Sequence, residues 1–470
     1  MALCSSIFRS YDIRGITGTQ LTAELAHDLG AAIGTRLAAT TRQSVVVGRD
    51  NRHSGVWLER ALVEGLESTG CRVARLGMVP TPLVYWASTI MEADAAIQVT
   101  GSHNPVEYNG FKISIAGKTL RAMDLAALKD EIEAGDFIAA VGSSMNWRLH
   151  HRYLVDLAQR IDRTTEKLTV VVDAGNGAAG PTAVALLRLL GHTVIPLHCT
   201  PDGRFPNHHP DPTVDENLQD LIWSVRANAA DLGIAFDADG DRLGAVTSAG
   251  EIVRGDQLLT LFASDVLQHR PRATIIGEVK CSRVFFDQVR DMGGEALLCR
   301  TGHAPIKRMM RSTGALLAGE MSGHFFFADR YFGFDDALYA AARLLELIGR
   351  SGRTLAHLTH ALPKTFATAE KRIPCPDDEK WAVMESLRSA FHALYARAEC
   401  ESLVEVDGVR VEWPAGWGLV RASNTEPVLV LRFEATSPHE LLRIQAVFGH
   451  ELRKHIELNS PDEVLLEGAA

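Results

Sequence analysis

Three times along this chain, short apolar runs alternate with amphipathic stretches and end in a loop rich in Gly, Ser, Asp or His. That alternation constrains the fold more than any other feature. Runs of four to six apolar residues separated by helix-length segments predict parallel strands covered by helices. The first block predicts a helix over 22–39, with Thr22 as N-cap and Glu24 in the first turn, where the helix dipole favours a carboxylate. A strand follows at 44–47, a Gly-Arg-Asp loop at 48–50, a helix over 56–68, a strand at 73–76 and a helix from about 83. The strand at 95–99 then runs into residues 100–105 (TGSHNP).

The second block starts from a polar, histidine-containing stretch at 146–161. It predicts strands at 168–173, 193–197 and 232–236, with helices over 181–190 and 216–228 and a turn-rich link at 202–210. Its last strand enters residues 237–242 (DADGDR). The third block predicts helices over 257–268, 285–292 and 306–312 between strands at 274–279, 296–298 and 315–318, and ends in residues 319–324 (GEMSGH). In open α/β sheets ligands gather at the carboxyl ends of strands, which is where these loops fall. The last segment differs. A proline-containing bridge at 362–378 leads to a helix reaching about 398, and 401–406 and 409–413 alternate across Asp407-Gly408, a hairpin signal. A loop at 421–427, a strand at 428–433 and a closing helix over 438–456 complete an α+β unit with a mainly antiparallel sheet. The expected domains are 1–147, 148–252, 253–364 and 365–470, the first three α/β with mixed, mainly parallel sheets.

At 470 residues the chain exceeds one core. A formal charge of −10 argues against nucleic acid or an anionic membrane as partner. The seven scattered cysteines form no CxxC pair and read as reduced thiols, and no apolar run approaches the ~18–20 residues of a membrane span. A cytoplasmic protein, monomer or dimer, is expected.

The loops carry the chemistry. Ser102 sits between a glycine and an Asn-Pro turn at a strand end, where a nucleophile or phosphate carrier would be exposed; the six residues alone fit a plain strand-ending turn equally well. Asp237, Asp239 and Asp241 alternate around Gly240 and can aim three carboxylates at one centre, where repulsion calls for a cation. Hard oxygen donors without His or Cys suit Mg²⁺. An EF-hand would need Gly and Glu where Arg242 and Ser248 stand. Arg421, Ser423, Asn424 and Thr425 offer a guanidinium, hydroxyls and an amide for a phosphate, or an ordinary polar loop. Glu320, Ser322 and His324 suit a hydroxyl-rich ligand, or a turn with a satisfied histidine. Lys112 and His303 are single candidates for acid–base work.

Taken together, residues 8–15 (FRSYDIRG), 100–105, 237–242, 319–324 and 421–427 (RASNTEP) resemble, in order and across the chain, the α-D-phosphohexomutase family, closest to its phosphomannomutase/phosphoglucomutase branch. The resemblance implies four domains around a cleft and interconversion of hexose 1- and 6-phosphates through a phosphorylated Ser102 and a reorienting hexose 1,6-bisphosphate. It implies Mg²⁺ held by Asp237, Asp239, Asp241 and the Ser102 phosphate, with Arg242 facing the transferring phosphoryl group. Glu320 and Ser322 would hold sugar hydroxyls with His324 nearby, and Arg421, Ser423, Asn424 and Thr425 the phosphate not being transferred. Tyr11, Arg14, Lys112, Lys280 and His303 match further active-site positions, Lys112 and His303 as acid–base partners. Three alternatives remain open: a glucosamine-phosphate mutase (which usually carries Gln where Met321 stands), a metal-dependent phosphomonoesterase, and a catalytically silent sugar-phosphate sensor.

Overall fold

The computed structural model describes residues 3–40, 43–162, 165–423 and 427–456. Four sheets follow one another along the chain, and the first three share one plan. In the second, Thr169–Asp173 lies between Thr193–Leu197 and Leu232–Phe236, all parallel, and Leu243–Thr247 pairs antiparallel with Leu232–Phe236. In chain order within the unit the strands stand 2-1-3-4, with the fourth reversed. The first sheet repeats this with Ser44–Arg49, Arg72–Met78, Ala95–Val99 and Tyr108–Ile115, and adds Ile13–Ile16 on one edge and Ser143–Asn146 on the other. The third repeats it with Thr274–Glu278, Glu295–Cys299, Leu317–Gly319 and Phe325–Phe327. The mainly parallel expectation holds, and the reversed fourth strand makes each sheet mixed.

The local reasons are readable in the residues. Thr169–Asp173 (TVVVD) is β-branched and buried beyond its first residue, as a strand covered by helices on both faces requires. Thr22 caps Ala23–Ala38 by accepting a hydrogen bond from the Leu25 amide at 3.2 Å. Asp336 does the same for Ala337–Ser351, accepting from the Tyr339 amide at 2.9 Å. That helix packs against Gly180–Leu189 and Gly255–His269 and joins the second and third units. One core runs from Trp86 through Leu186 to Leu344, so the three α/β units share their apolar interior.

The C-terminal unit is a six-stranded sheet whose pairings are all antiparallel, with Val428–Ala435 between Gly416–Ala422 and the short strands Phe366–Ala367 and Lys371–Pro374. The hairpin of Ser402–Val404 with Val409–Trp413 forms across Gly408, whose φ of 80° needs glycine. Its own core holds Phe391, Phe433 and Phe448. Buried Arg410 fastens it to the third unit: its guanidinium lies 3.7 Å from the Trp417 ring centre and donates to the carbonyls of Val279 and Cys281 at 2.7 and 2.8 Å.

Candidate active site

The loop between the third and fourth strands of each α/β unit is the element that carries function-bearing side chains. In the first unit this loop holds Ser102, 2% exposed and at φ 49°, a left-handed conformation uncommon for serine. Its amide donates to Thr100 Oγ1 at 2.8 Å. A buried arginine from outside the loop imposes the shape. Arg52 donates to the carbonyls of Ser102, Asn104, Pro105 and Tyr108 at 2.5–3.0 Å. Asp50 pairs with Arg52 at 3.3 Å and accepts from Thr100 Oγ1 and the Gly101 amide. Arg14 reaches the same loop through Asn104 Oδ1.

In the second unit the equivalent loop holds Asp237, Asp239 and Asp241, all fully buried, with carboxylate oxygens within 4.8 Å of one another. The loop shapes itself: Asp237 Oδ1 accepts from the amides of Gly240, Asp241 and Arg242 at 3.0–3.1 Å. Asp237 Oδ2 accepts from Ser102 Oγ at 3.2 Å, which brings hydroxyl and carboxylates to one point. Lys112 Nζ contacts Asp239 Oδ2 at 2.7 Å and also Asp241 Oδ2, while Thr81 Oγ1 donates to Asp239. Burial would raise Asp239, but Lys112 holds its carboxyl below the usual range. Burial followed by repulsion from Asp239 and Asp241 pushes Asp237 well above it. Asp239 Oδ1 and Asp241 Oδ1 are buried without a hydrogen-bond partner. Three carboxylates, two orphaned oxygens and one lysine fit a hard divalent cation.

In the third unit the equivalent loop supplies Glu320, Ser322 and His324. Its Gly323 carbonyl accepts from the Leu243 amide at 2.9 Å, so this loop touches the carboxylate loop. Arg242 Nε donates to His324 Nε2 at 3.1 Å. His324 Nδ1 lies 3.4 Å from Asp335, which Lys307 holds at 3.0 Å. Glu320 accepts from the Gly302 amide at 2.6 Å, and burial raises its carboxyl. His303 stands edge-on to Tyr11 at 4.8 Å, and neither ring nitrogen has a partner. Burial, then the nearby Lys307 charge, push its imidazole well below the usual range, leaving it neutral at pH 7. Burial, then Asp12, push the Tyr11 phenol up to about 12. Ser322, in the same loop as Glu320, is half-buried.

The C-terminal unit contributes Arg421, which pairs with Asp407 at 3.0 Å, and Ser423, whose carbonyl accepts from Lys380. Asp407 in turn accepts from the Thr301 amide, and Lys280 reaches Glu370 at 3.0 Å, so two contacts cross between third and fourth units beside the site. Asn424 and Thr425 lie outside the described residues. Asp50, Arg52, Thr81, Lys307, Asp335, Asp407 and Glu370 were not singled out as site residues from sequence; Asp50 was read only as part of a loop and Asp407 only as part of a hairpin turn.

Three copies of one α/β unit thus deliver a hydroxyl, an acid cluster and a polar recognition loop to one centre, with an antiparallel fourth unit beside them. This is the layout of a four-domain enzyme for a charged, hydroxyl-bearing ligand. The family models for phosphoglucomutase/phosphomannomutase match all four parts: α/β/α domain I at residues 5–139, II at 151–250, III at 254–366, and the C-terminal domain at 370–449. A phosphomannomutase/phosphoglucomutase of Pseudomonas aeruginosa is 49% identical over 451 residues, 96% of each chain. A phosphoglucomutase of Neisseria gonorrhoeae is 43% identical, covering 92% of this chain and 94% of its own. The crystal structure of a phosphoglucomutase/phosphomannomutase family protein from Burkholderia thailandensis superposes with a TM-score of 0.90 at 43% identity, covering 96% of this chain and 98% of that one. The chain belongs to the phosphoglucomutase/phosphomannomutase family.

Proposed function

We infer that the chain is a hexose-phosphate mutase, interconverting hexose 1-phosphate and 6-phosphate of mannose, glucose or both. In this reading Ser102 carries a phosphoryl group. The P–Oγ bond to Ser102 breaks as a bond from phosphorus to the free sugar hydroxyl forms, that hydroxyl loses its proton, and a hexose 1,6-bisphosphate results. After end-for-end reorientation the other phosphate returns to Ser102. The observation that supports this best is Ser102 Oγ at 3.2 Å from Asp237, beside the two orphaned oxygens of Asp239 and Asp241.

Asp237, Asp239 and Asp241, with the phosphate on Ser102, would hold Mg²⁺, which when bound neutralises charge on the phosphoryl oxygens. Arg242 would add a second positive group there. His303, neutral and without a partner on either nitrogen, is the better-suited base. Lys112 keeps its proton: burial lowers it, but Asp239 and Asp241 raise it well above the usual lysine value, so it serves as a charge partner or proton donor. Glu320, Ser322 and His324 would read sugar hydroxyls. Arg421, Ser423, Asn424 and Thr425, with Tyr11, Arg14 and Lys280, would hold the distal phosphate and ring. The domain limits proposed are those read from sequence, after residues 147, 252 and 364. No described helix is long and apolar enough to cross a membrane, consistent with a cytoplasmic enzyme of small phosphosugars.

The test is kcat/KM for mannose 1-phosphate, glucose 1-phosphate and glucosamine 1-phosphate with Mg²⁺ and a bisphosphate activator, alongside mass spectrometry of Ser102. Turnover of the first two and a phosphate on Ser102 are expected. Release of inorganic phosphate in place of isomer would make the protein a phosphatase. An intact chain that neither turns over nor acquires phosphate would make it a sensor.

A further inference from the structure

A second cluster lies in the second α/β unit, outside the phosphosugar centre. Asp173 ends the strand Thr169–Asp173, His198 follows the strand Thr193–Leu197, and His208 sits in the link at 202–210. Each offers one ligand atom within 4.8 Å of the other two. Asp173 is buried, whereas the His198 and His208 side chains are 16% and 15% exposed, so the cluster is roofed but reachable from solvent.

The hydrogen bonds fix the chemistry of both rings. His208 Nδ1 lies 3.0 Å from the His209 carbonyl, a contact that requires N–H on Nδ1. The neutral ring therefore carries its lone pair on Nε2, which faces both Asp173 oxygens at 3.2 and 3.0 Å. A lone pair against a carboxylate is repulsive unless a second proton or a cation stands between them. His198 repeats the pattern: its Nε2 lies 3.0 Å from the Asp220 carboxylate, which calls for N–H there and leaves Nδ1 as the free donor atom. Asp173 Oδ1 is oriented in turn by the Gly175 amide at 2.9 Å. Metal-ligating histidines characteristically donate their other N–H to a carbonyl or carboxylate, and both rings here do so.

We propose that Asp173, His198 and His208 form a second cation site, for a borderline transition ion of the Zn²⁺ class, separate from the all-carboxylate cluster. Two imidazoles and one carboxylate select such an ion over Mg²⁺, and three protein ligands leave a position for water. The three ligand atoms lie within 4.8 Å of one another, with His208 Nε2 already 3.0 Å from Asp173 Oδ2, and binding would draw them in to the ~2.0–2.1 Å of a zinc–nitrogen bond. Cys199 is not a ligand. Its thiol is engaged with the carbonyls of Val172 and Leu197, and burial pushes it up to about 12.

The consequence of occupancy lies in what the following residues hold. The Asn176 carbonyl accepts from Asn51 Nδ2 at 2.7 Å, and Asn176 Oδ1 accepts from Asn207 Nδ2 at 2.7 Å. The Ala178 amide donates to the Ala238 carbonyl inside the carboxylate loop at 2.7 Å. An ion at Asp173 would fasten the link to the segment that supports both the Ser102 and Asp237 loops, so its effect is on stability.

The experiment is titration of the full-length metal-stripped protein with Co²⁺, in excess Mg²⁺ to occupy the carboxylate cluster, followed by visible absorption and by Tm. One Co²⁺ per chain, a d–d band and a rise in Tm are expected. His198→Ala, near the surface, weakens binding at least tenfold with kcat in Mg²⁺ alone unchanged, and His208→Ala does the same. Asp239→Asn leaves the Co²⁺ band in place. Absence of binding in Mg²⁺, binding untouched by His198→Ala, or a band lost in Asp239→Asn would overturn the proposal and leave His208 and Asp173 as an imidazolium–carboxylate pair. The Co²⁺ band, the stoichiometry and the Tm are read independently of mutase activity.

Discussion

The Ser102 loop and the Asp237 loop occupy the same position in two copies of one unit, yet they are held by opposite means. The Asp237 loop is closed from within: one oxygen of its first carboxylate collects three of its own amides, and Gly240 at φ 75° makes the turn. The Ser102 loop has an internal side-chain bond, from the Ser102 amide to Thr100 Oγ1, and relies mainly on residues outside it. Buried Arg52 collects four of its carbonyls, and Asp50 takes its hydroxyl and amide. A loop that concentrates fixed negative charge can spend its amides on that charge and so set its own turn, while Lys112 and Thr81 engage its carboxylates from outside. If Ser102 gains and loses a phosphate as proposed, its loop would have to keep its shape through a change of charge, and a splint from another segment would do that. On that proposal, one duplicated position would serve as rigid electrode and as splinted carrier.

The sharpest break in this contrast is Ser102→Ala. Removing the carrier while leaving the electrode intact is expected to lower kcat/KM for glucose 1-phosphate by about 10⁴ or more, the size seen when a covalent nucleophile is deleted. Thermal stability should barely move, because Ser102 Oγ makes only the bonds to Asp237 and His103. Residual activity within tenfold of wild type would show that the phosphate is carried elsewhere.

Lys112→Met attacks the electrode. Asp239 and Asp241 would lose the ammonium between them, and stripping one partner from a buried ion pair costs about 3–5 kcal/mol. The Tm should fall in EDTA and recover in part with Mg²⁺, since a cation can offset the same carboxylates. A fall indifferent to Mg²⁺ would mean that Lys112 packs but does not balance charge.

Arg52→Lys tests the splint. A lysine keeps the charge beside Asp50 but has three donors on a point charge in place of a planar fork. With four carbonyls to satisfy, kcat should fall about 10–10²-fold, in the range of a misplaced reacting group, with KM nearly unchanged because Glu320 and Arg421 are untouched. Phosphate transfer from a bisphosphate to Ser102 should slow in step. A rise in KM with kcat preserved would move Arg52 into substrate binding.

How much of this was legible in the sequence follows from the range of the interactions. Alternation of strand and helix and the motifs at 100–105, 237–242 and 319–324 are local, and the structure brings those loops together. The splinting role of Arg52 was invisible because the carbonyls it holds lie about 50 residues away, and backbone atoms leave no mark on composition. The helix Ala337–Ser351 drew no assignment because its first twelve residues are buried all round, so no polar face marks the helical period. The strand Gly416–Ala422 was missed for a related reason: it is buried on both faces, and its sequence carries no clear alternation. The common 2-1-3-4 order could not be read at all, since strand order is set by long-range pairing.

The C-terminal unit lies outside the repeat, and the smallest predicted effect concerns how it is tied on. Lys280 holds the Glu370 carboxyl down to about 2, from an ordinary 4.5, with burial opposing it. A depressed carboxylate contributes stability that is complete above pH 4.5 and lost as pH falls from 4.5 towards 2. With the Glu370 side chain 22% exposed, solvent screening leaves about 1–2 kcal/mol of that linkage. Glu370→Gln should therefore lower Tm by a few degrees at pH 7 and by less at pH 3, so that the two proteins converge in acid. Because the pair bridges the third and fourth units, the same substitution should raise KM a few-fold and leave kcat within a factor of two. Curves that stay parallel down to pH 3 would remove the ion pair from the tie and leave Arg410, stacked on Trp417, as its main fastening.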